Sequence, residues 1–270
     1  MNLTWQLKNL ARRVLGRRVQ ADPTKAPLTS AVEQALALPT LGETSHPIDP
    51  ELAALVAGAR ARPVQFSSRE LFSLDGRPLP AWREEDTTLE DDWVTTEHYY
   101  PLYHRFFQET LARRDARRLL EIGVRTGYVG LCFARAVDGR ADYLGVDPNL
   151  YLPEGLDLAR SSFAAIERAQ PGFSARCLLG YSDNPDMQAK LRRLAPFDLI
   201  HVDGDHTLRG KLIDLDLCRH LVSDRGLVLV DDYTHIPSVI QESVARALHL
   251  GWYKRFAVLD TKRGLALLAP

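Results

Sequence analysis

From Tyr99 onward the chain alternates short apolar runs with stretches of helical period. The runs are RLLEIG (118–123), DYLGVD (142–147), SARCLLG (174–180), FDLIHVD (197–203), GLVLVDD (226–232), YKRFAVLD (253–260) and GLALLA (264–269). Near-continuous apolar runs separated by helix-sized intervals predict parallel strands covered on both faces. Only DTKR lies between the last two runs, too little for a crossover helix, so an antiparallel hairpin is expected there. An aromatic-rich helix is expected from Tyr99 to Leu111. After the fourth run, Leu208, Leu212, Leu215 and Val222 share a helical face, with Lys211, Asp214 and Arg219 expected on the outer side. The expected fold class is α/β: a doubly wound sheet of seven strands ending in a C-terminal antiparallel hairpin, preceded by a helical and irregular extension.

The extension has its own pattern. Leu3, Leu7, Leu10 and Val14 recur at helical spacing among Lys8, Arg12, Arg13, Arg17 and Arg18, which predicts an amphipathic basic helix. Packing against a partner subunit or the main domain, attachment to a membrane surface and an organellar transit role all fit that pattern. Prolines at 23, 27, 39, 47 and 50 mark residues 20–50 as a linker or arm with a short helical pattern from Ala31 to Leu38. A further helix is expected at 50–61, and the acidic run EEDTTLEDD reads as a solvated face. The division expected is an arm and cap region at 1–92 and a main domain at 93–270, with a homo-oligomer favoured by the basic helix and proline-rich arm.

Composition narrows the function classes. The 270 residues carry a formal net charge of −1, which removes the compositional case for a nucleic-acid binder and favours a small-molecule partner. Cys132, Cys177 and Cys218 are widely spaced, arguing against a disulfide framework or a thiolate zinc site and for a reducing cytoplasm. No apolar stretch reaches bilayer length.

Candidate chemistry lies at the ends of the strands. HVDGDH (201–206) and VDDY (230–233) each follow an apolar run, so both are expected to project carboxylates from one edge of the sheet and form a divalent-cation site. Helix capping by Asp203 and Asp205, and turn formation by Asp231 and Asp232, are the ordinary alternatives. In EIGVRTG (121–127), Gly123 and Gly127 frame a turn after the first strand, where missing side chains admit a ligand to the backbone and the next helix N-terminus. A tight turn without a ligand is the alternative, and Arg125, standing where a dinucleotide fingerprint needs glycine, weakens an NAD reading. Asp147 ends the second strand where a carboxylate can accept both ribose hydroxyls, or merely form the turn before Pro148. The loop GYSDNP can frame an adenine through Tyr181, Ser182 and Asp183, or act as a turn. His201 is expected to be packed within its strand, and Asp205 to support its loop.

EIGVRTG, GVDPN, FDLIHVDGDH and GLVLVDDY, in this order, resemble class I S-adenosylmethionine-dependent methyltransferases with their Rossmann-like sheet. More narrowly they resemble the magnesium-dependent sugar and antibiotic O-methyltransferases of macrocin and mycinamicin type. The likeness covers about residues 97–270 and includes the aromatic segment EHYYPLYHRFF. It implies that Glu121, Gly123 and Gly127 line the methionine part of S-adenosyl-L-methionine and that Asp147 holds the ribose; Arg125 departs from the commonest form of that motif, which has a glycine there, and is itself expected to meet the cofactor carboxylate. It also implies Mg²⁺ or another hard cation on Asp203, Asp231 and Asp232, and His206 as general base. His98 and Tyr100 become candidates for covering cofactor or substrate. The expected reaction is methyl transfer to a hydroxyl of a sugar or glycoside. A metal-independent N- or C-methyltransferase and a non-catalytic S-adenosylmethionine-binding assembly protein are the other readings.

Overall fold

The computed structural model describes residues 27–42, 46–82, 99–150, 152–261 and 263–270. The expected basic helix at 3–18, the acidic run and His98 lie outside the described residues.

Seven strands form the main sheet: β3 (Arg118–Ile122), β4 (Ala141–Asp147), β5 (Phe173–Leu179), β6 (Phe197–Val202), β7 (Val222–Val230), β8 (Arg255–Leu259) and β9 (Leu265–Ala269). Their order across the sheet is β5-β4-β3-β6-β7-β9-β8. The first five are parallel, and β9 runs antiparallel to both neighbours, as the short DTKR connection requires. The last strand therefore inserts between β7 and β8.

Alternation along each strand divides the core between the two faces. Leu119, Leu199, Leu227 and Leu229 face α4 (Tyr100–Arg114), α5 (Tyr128–Ala136) and α6 (Gly155–Ala169). Leu120, Ile200, Val228 and Val230 belong to the opposite layer with α7 (Pro185–Leu194), α8 (Leu208–Cys218) and α9 (Pro237–His249). Strand β5 lies at one edge of the sheet, and only Phe173 among its residues is fully buried, unlike the covered centre.

The segment before the sheet is packed onto both layers. Helix α1 (Ser30–Ala37) starts at Thr29, whose side chain caps Val32 N–H and also donates to Asp216 on α8 (2.7 Å). Arg246 on α9 donates to the carbonyls of Ala35 (2.6 Å) and Leu36 (3.2 Å), while Glu242 accepts from Leu41 and Gly42 N–H. On the other face, α2 (Pro50–Ala61), capped by Asp49, buries Leu52, Leu55 and Ala59 in the core shared with α4. Ile48 adds a parallel bridge to Phe256 at the β8 edge. The short α3 (Ser68–Leu71), closed by a Ser67–Glu70 capping box, leads into a two-stranded hairpin, β1 (Ser73–Leu74) and β2 (Arg77–Pro78).

Two expectations for α8 are overturned: Val222 lies beyond the helix, as the first residue of β7, and Lys211 and Asp214 are buried, not outward. The helix is covered on its far side as well, by α1 and by the loop after β5. Lys211 Nζ points to the Val202 carbonyl (3.5 Å), and Asp214 accepts from Ser182 Oγ (2.6 Å).

Candidate active site

Because β4, β3, β6 and β7 are parallel neighbours, the loops following them emerge side by side at one edge. Backbone hydrogen bonds stitch them laterally: Gly123 N–H to Val146 C=O (2.9 Å), Asp203 N–H to Ile122 C=O (2.8 Å) and Asp231 N–H to Val202 C=O (3.2 Å). Asp147, Gly123, Asp203 and Asp231 thus stand in one row.

The glycine turn is shaped by the fold as well as by any ligand. Gly123 has φ +91°, and a Cβ there would lie 2.3 Å from the Asp203 carbonyl oxygen and 2.9 Å from Gly204 N. The missing side chain lets the loops after β3 and β6 pass in contact. Gly127, at φ +84°, precedes α5, and its Cβ would meet the Phe163 ring at 3.0 Å. Arg125 also takes a left-handed backbone conformation (φ +52°), with its backbone N–H donating to Asp147 Oδ2 (2.8 Å) and its side chain exposed. The Asn149 N–H donates to Asp147 Oδ1. Each Asp147 oxygen keeps a further lone pair for another donor.

Glu121 lies beneath this row, 2 % exposed, accepting from Tyr143 O–H (2.5 Å). Burial, with nearby Asp203 adding to it, pushes its carboxyl up to about 8 despite that hydrogen bond. His201 is fully buried beside it, and burial pushes its imidazole down to about 4, as a packed neutral histidine requires. At the loop after β5, Ser182 is turned to Asp214, whose burial pushes it up to about 6. Asp183 is half-buried next to it.

Among the described residues, Asp203, His206 and Asp232 bring ligand-capable atoms within 4.8 Å of one another. His206 Nε2 is 3.0 Å from Asp203 Oδ1 and 3.7 Å from Asp232 Oδ2. Burial works to raise the Asp203 pKa, but the His206 hydrogen bond and charge prevail and hold it below the usual carboxylate range. Asp231 faces elsewhere: it accepts from Tyr99 O–H (3.0 Å) and lies 3.8 Å from His201 Nε2. Burial, followed by repulsion from Asp203 and Asp232, lifts Asp231 to about 7. Asp232 is wholly buried at φ +63°, with both oxygens gripped by Arg263 through Nε and through Nη2 (2.6 Å). Asp205 accepts from Thr207 N–H (2.9 Å) at the start of α8. Two carboxylates and an imidazole suit a divalent cation by donor type, with a guanidinium already placed as a positive partner on one of them.

Sequence spacing brings Asp203, His206 and Asp232 to one edge but leaves Tyr99 and Arg263 without a role. Tyr99 belongs to the aromatic segment noted above, yet its neighbour Tyr100 packs among Phe72, Tyr99 and Tyr128 while Tyr99 reaches Asp231. Arg263 sits in the hairpin turn, 31 residues from Asp232, and no local motif connects them.

Residues 120–233 match the family model of a methyltransferase domain. The chain is 30% identical over 135 residues to O-methyltransferase ankF of Aspergillus thermomutatus, covering 48% of this chain and 51% of that protein. The match therefore spans about half of the relative's length. Similar solved structures include the O-methyltransferase TomG of Streptomyces achromogenes in complex with SAM, at 21% identity and TM-score 0.48, covering 63% of this chain and 79% of that one. The O-methyltransferase from Bacillus cereus in complex with SAH is 15% identical with TM-score 0.47, covering 97% of each chain. The matched segment runs from β3 to the turn after β7; with the reversed β9, the architecture is a Rossmann-like methyltransferase fold. No helix among the described residues is long and apolar enough to cross a membrane.

Proposed function

We propose that this chain is an S-adenosylmethionine-dependent O-methyltransferase. The observation that carries the reading is the convergence, on one sheet edge, of the Gly123–Gly127 turn and Asp147 with the His206–Asp203 pair. The turn, Asp147 and the Ser182–Asp183 loop are assigned to the cofactor, with Arg125 toward its carboxylate and Glu121 supporting the turn from below. His206 is assigned as the base. An ionised Asp203 can only accept, so Nε2 carries its hydrogen toward Asp203, and in the neutral form of the ring, the form that acts as base, Nδ1 holds the lone pair. As the acceptor oxygen attacks the sulfonium methyl, the C–O bond forms and the S–CH₃ bond breaks. The hydroxyl proton passes to Nδ1, and the resulting imidazolium lies between the Asp203 and Asp232 carboxylates.

The finer proposal is a hard divalent cation such as Mg²⁺, held by Asp203 and Asp232 beside Asp231. When bound it supplies acidification and orientation of the acceptor hydroxyl. Open positions on such a cation suit vicinal hydroxyls, which supports a sugar or glycoside as acceptor. His98, outside the described residues, and Tyr100 remain proposed at the substrate side, and a homo-oligomer is proposed from the basic pattern at 3–18. A second, metal-independent reading is favoured by the Arg263 fork, which already compensates Asp232.

The test is methyl transfer from labelled S-adenosylmethionine to a panel of glycosides. Chelator-treated protein is expected to lose turnover and Mg²⁺ to restore it; full turnover after chelation selects the metal-independent reading. Failure to bind S-adenosylmethionine in calorimetry overturns both. His206→Ala should lower turnover by about 10²–10⁴-fold with cofactor affinity little changed. An equal loss of both removes His206 as base.

A further inference from the structure

We propose that Arg263 is a latch on the cation site: its guanidinium and an incoming divalent cation compete for the Asp232 carboxylate, and loading proceeds by rotation of the Arg263 side chain off Asp232. The inference rests on the cation reading given above.

The three carboxylates differ in what they already hold. Asp203 carries His206, Asp231 carries Tyr99 O–H, and Asp232 carries a complete two-pronged guanidinium contact. A planar fork on both oxygens is the strongest pairing a carboxylate makes with a side chain. A dication placed on the same buried oxygens stands against that guanidinium at near-contact distance, where like charges repel strongly in a water-poor site. Occupancy is therefore exclusive. Without a cation the latch keeps Asp232 from standing bare in the interior, a state that buried carboxylates avoid.

The local backbone decides what moves. The Arg263 carbonyl accepts from Thr234 N–H (2.9 Å) and His235 N–H (3.1 Å), and the Gly264 carbonyl from Tyr233 N–H (3.0 Å). Gly264, at φ +73°, lies so close to Thr234 that a Cβ would come within 2.8 Å of its backbone nitrogen. The hairpin turn is thus bound to the same loop that presents Asp232 and cannot swing away from it. The Arg263 side chain is 23% exposed and has a route to water, so release is a side-chain rotation about a fixed backbone.

The experiment is Mn²⁺ binding followed by the loss of the free-ion electron paramagnetic resonance signal, on wild type, Arg263→Gln, Arg263→Lys and Arg263→Gln combined with Asp232→Asn. Arg263→Gln is expected to bind Mn²⁺ about tenfold or more tightly than wild type, corresponding to ~1.4 kcal/mol or more. Arg263→Lys, which keeps the charge but loses the fork, should fall between wild type and Arg263→Gln, and adding Asp232→Asn should abolish the gain. Equal affinity in wild type and Arg263→Gln overturns the latch while leaving the cation reading intact. Absence of Mn²⁺ binding in every protein overturns the cation reading and the latch with it. Should Arg263→Gln fail to fold, the wild-type Arg263 Nε–H resonance, assigned by its loss in Arg263→Lys, provides the measurement: it must shift as Mg²⁺ is added, and an unchanged resonance in Mg²⁺-loaded protein overturns the latch.

Discussion

Replacing Gly123 by alanine separates a glycine kept for a ligand from one kept for the fold. The added Cβ would sit 2.3 Å from the Asp203 carbonyl oxygen and 2.5 Å from its carbon, atoms of a backbone held by the Asp203 N–H to Ile122 C=O hydrogen bond. Neither can yield like the end of a flexible side chain. The left-handed φ of +91° adds a conformational penalty of ~1–3 kcal/mol, and forced overpacking a further ~1–3 kcal/mol. Gly127→Ala is the control: its φ of +84° carries a similar backbone penalty, but its contacts are looser, the Phe163 ring edge at 3.0 Å, which can give, and the Ala159 methyl at 3.2 Å, with no backbone atom among them. In urea unfolding without cofactor, Gly123→Ala should therefore lose ~2–6 kcal/mol and exceed the Gly127→Ala loss by at least ~1 kcal/mol. At ~2–4 °C per kcal/mol for a chain of this size, a mid-range loss lowers Tm by about 8–16 °C. A cofactor-free stability within about 0.5 kcal/mol of wild type, with only cofactor affinity reduced, refutes the close-packing argument.

Two further outcomes follow from buried charges. Glu121 is raised from its ordinary 4.5 to about 8, so between these values the unfolded chain releases a proton that the folded chain keeps. Its contribution is fully present below pH 4.5 and is lost as pH rises toward 8, at a slope of at most about 1.4 kcal/mol per pH unit. Glu121→Gln, which can still accept from Tyr143 but cannot ionise, should flatten the fall of Tm from pH 5.5 to 8; an unchanged slope contradicts the assignment. Arg246 bridges Glu242 on its own helix to the carbonyls of Ala35 and Leu36. Arg246→Met breaks a buried pair, at a cost of ~3–5 kcal/mol, and should open residues 27–42 to limited proteolysis; wild-type stability and protease resistance would show that the pair does not anchor this segment.

The strands were legible because burial on both faces leaves a continuous apolar run, and β3, β4, β6 and β7 carry it plainly. The burial of Lys211 and Asp214 was not, since helical periodicity reports one apolar face and cannot register a second covering layer. The same limit applies to the glycine turn. EIGVRTG marks a sharp bend, but the contact that excludes a Cβ at Gly123 comes from Asp203, 80 residues further on.

By itself the sequence determined a parallel sheet with a reversed last strand, and acidic clusters followed by a histidine at its carboxyl edge. These follow from local physics, the period of apolar positions and the length of each connection. The tertiary structure alone decided which carboxylate faces which partner. Asp231 and Asp232 are chain neighbours, yet the left-handed backbone at Asp232 sends one side chain to Tyr99 and the other to Arg263. Both partners arrive from distant segments, and their placement depends on packing that no local pattern encodes.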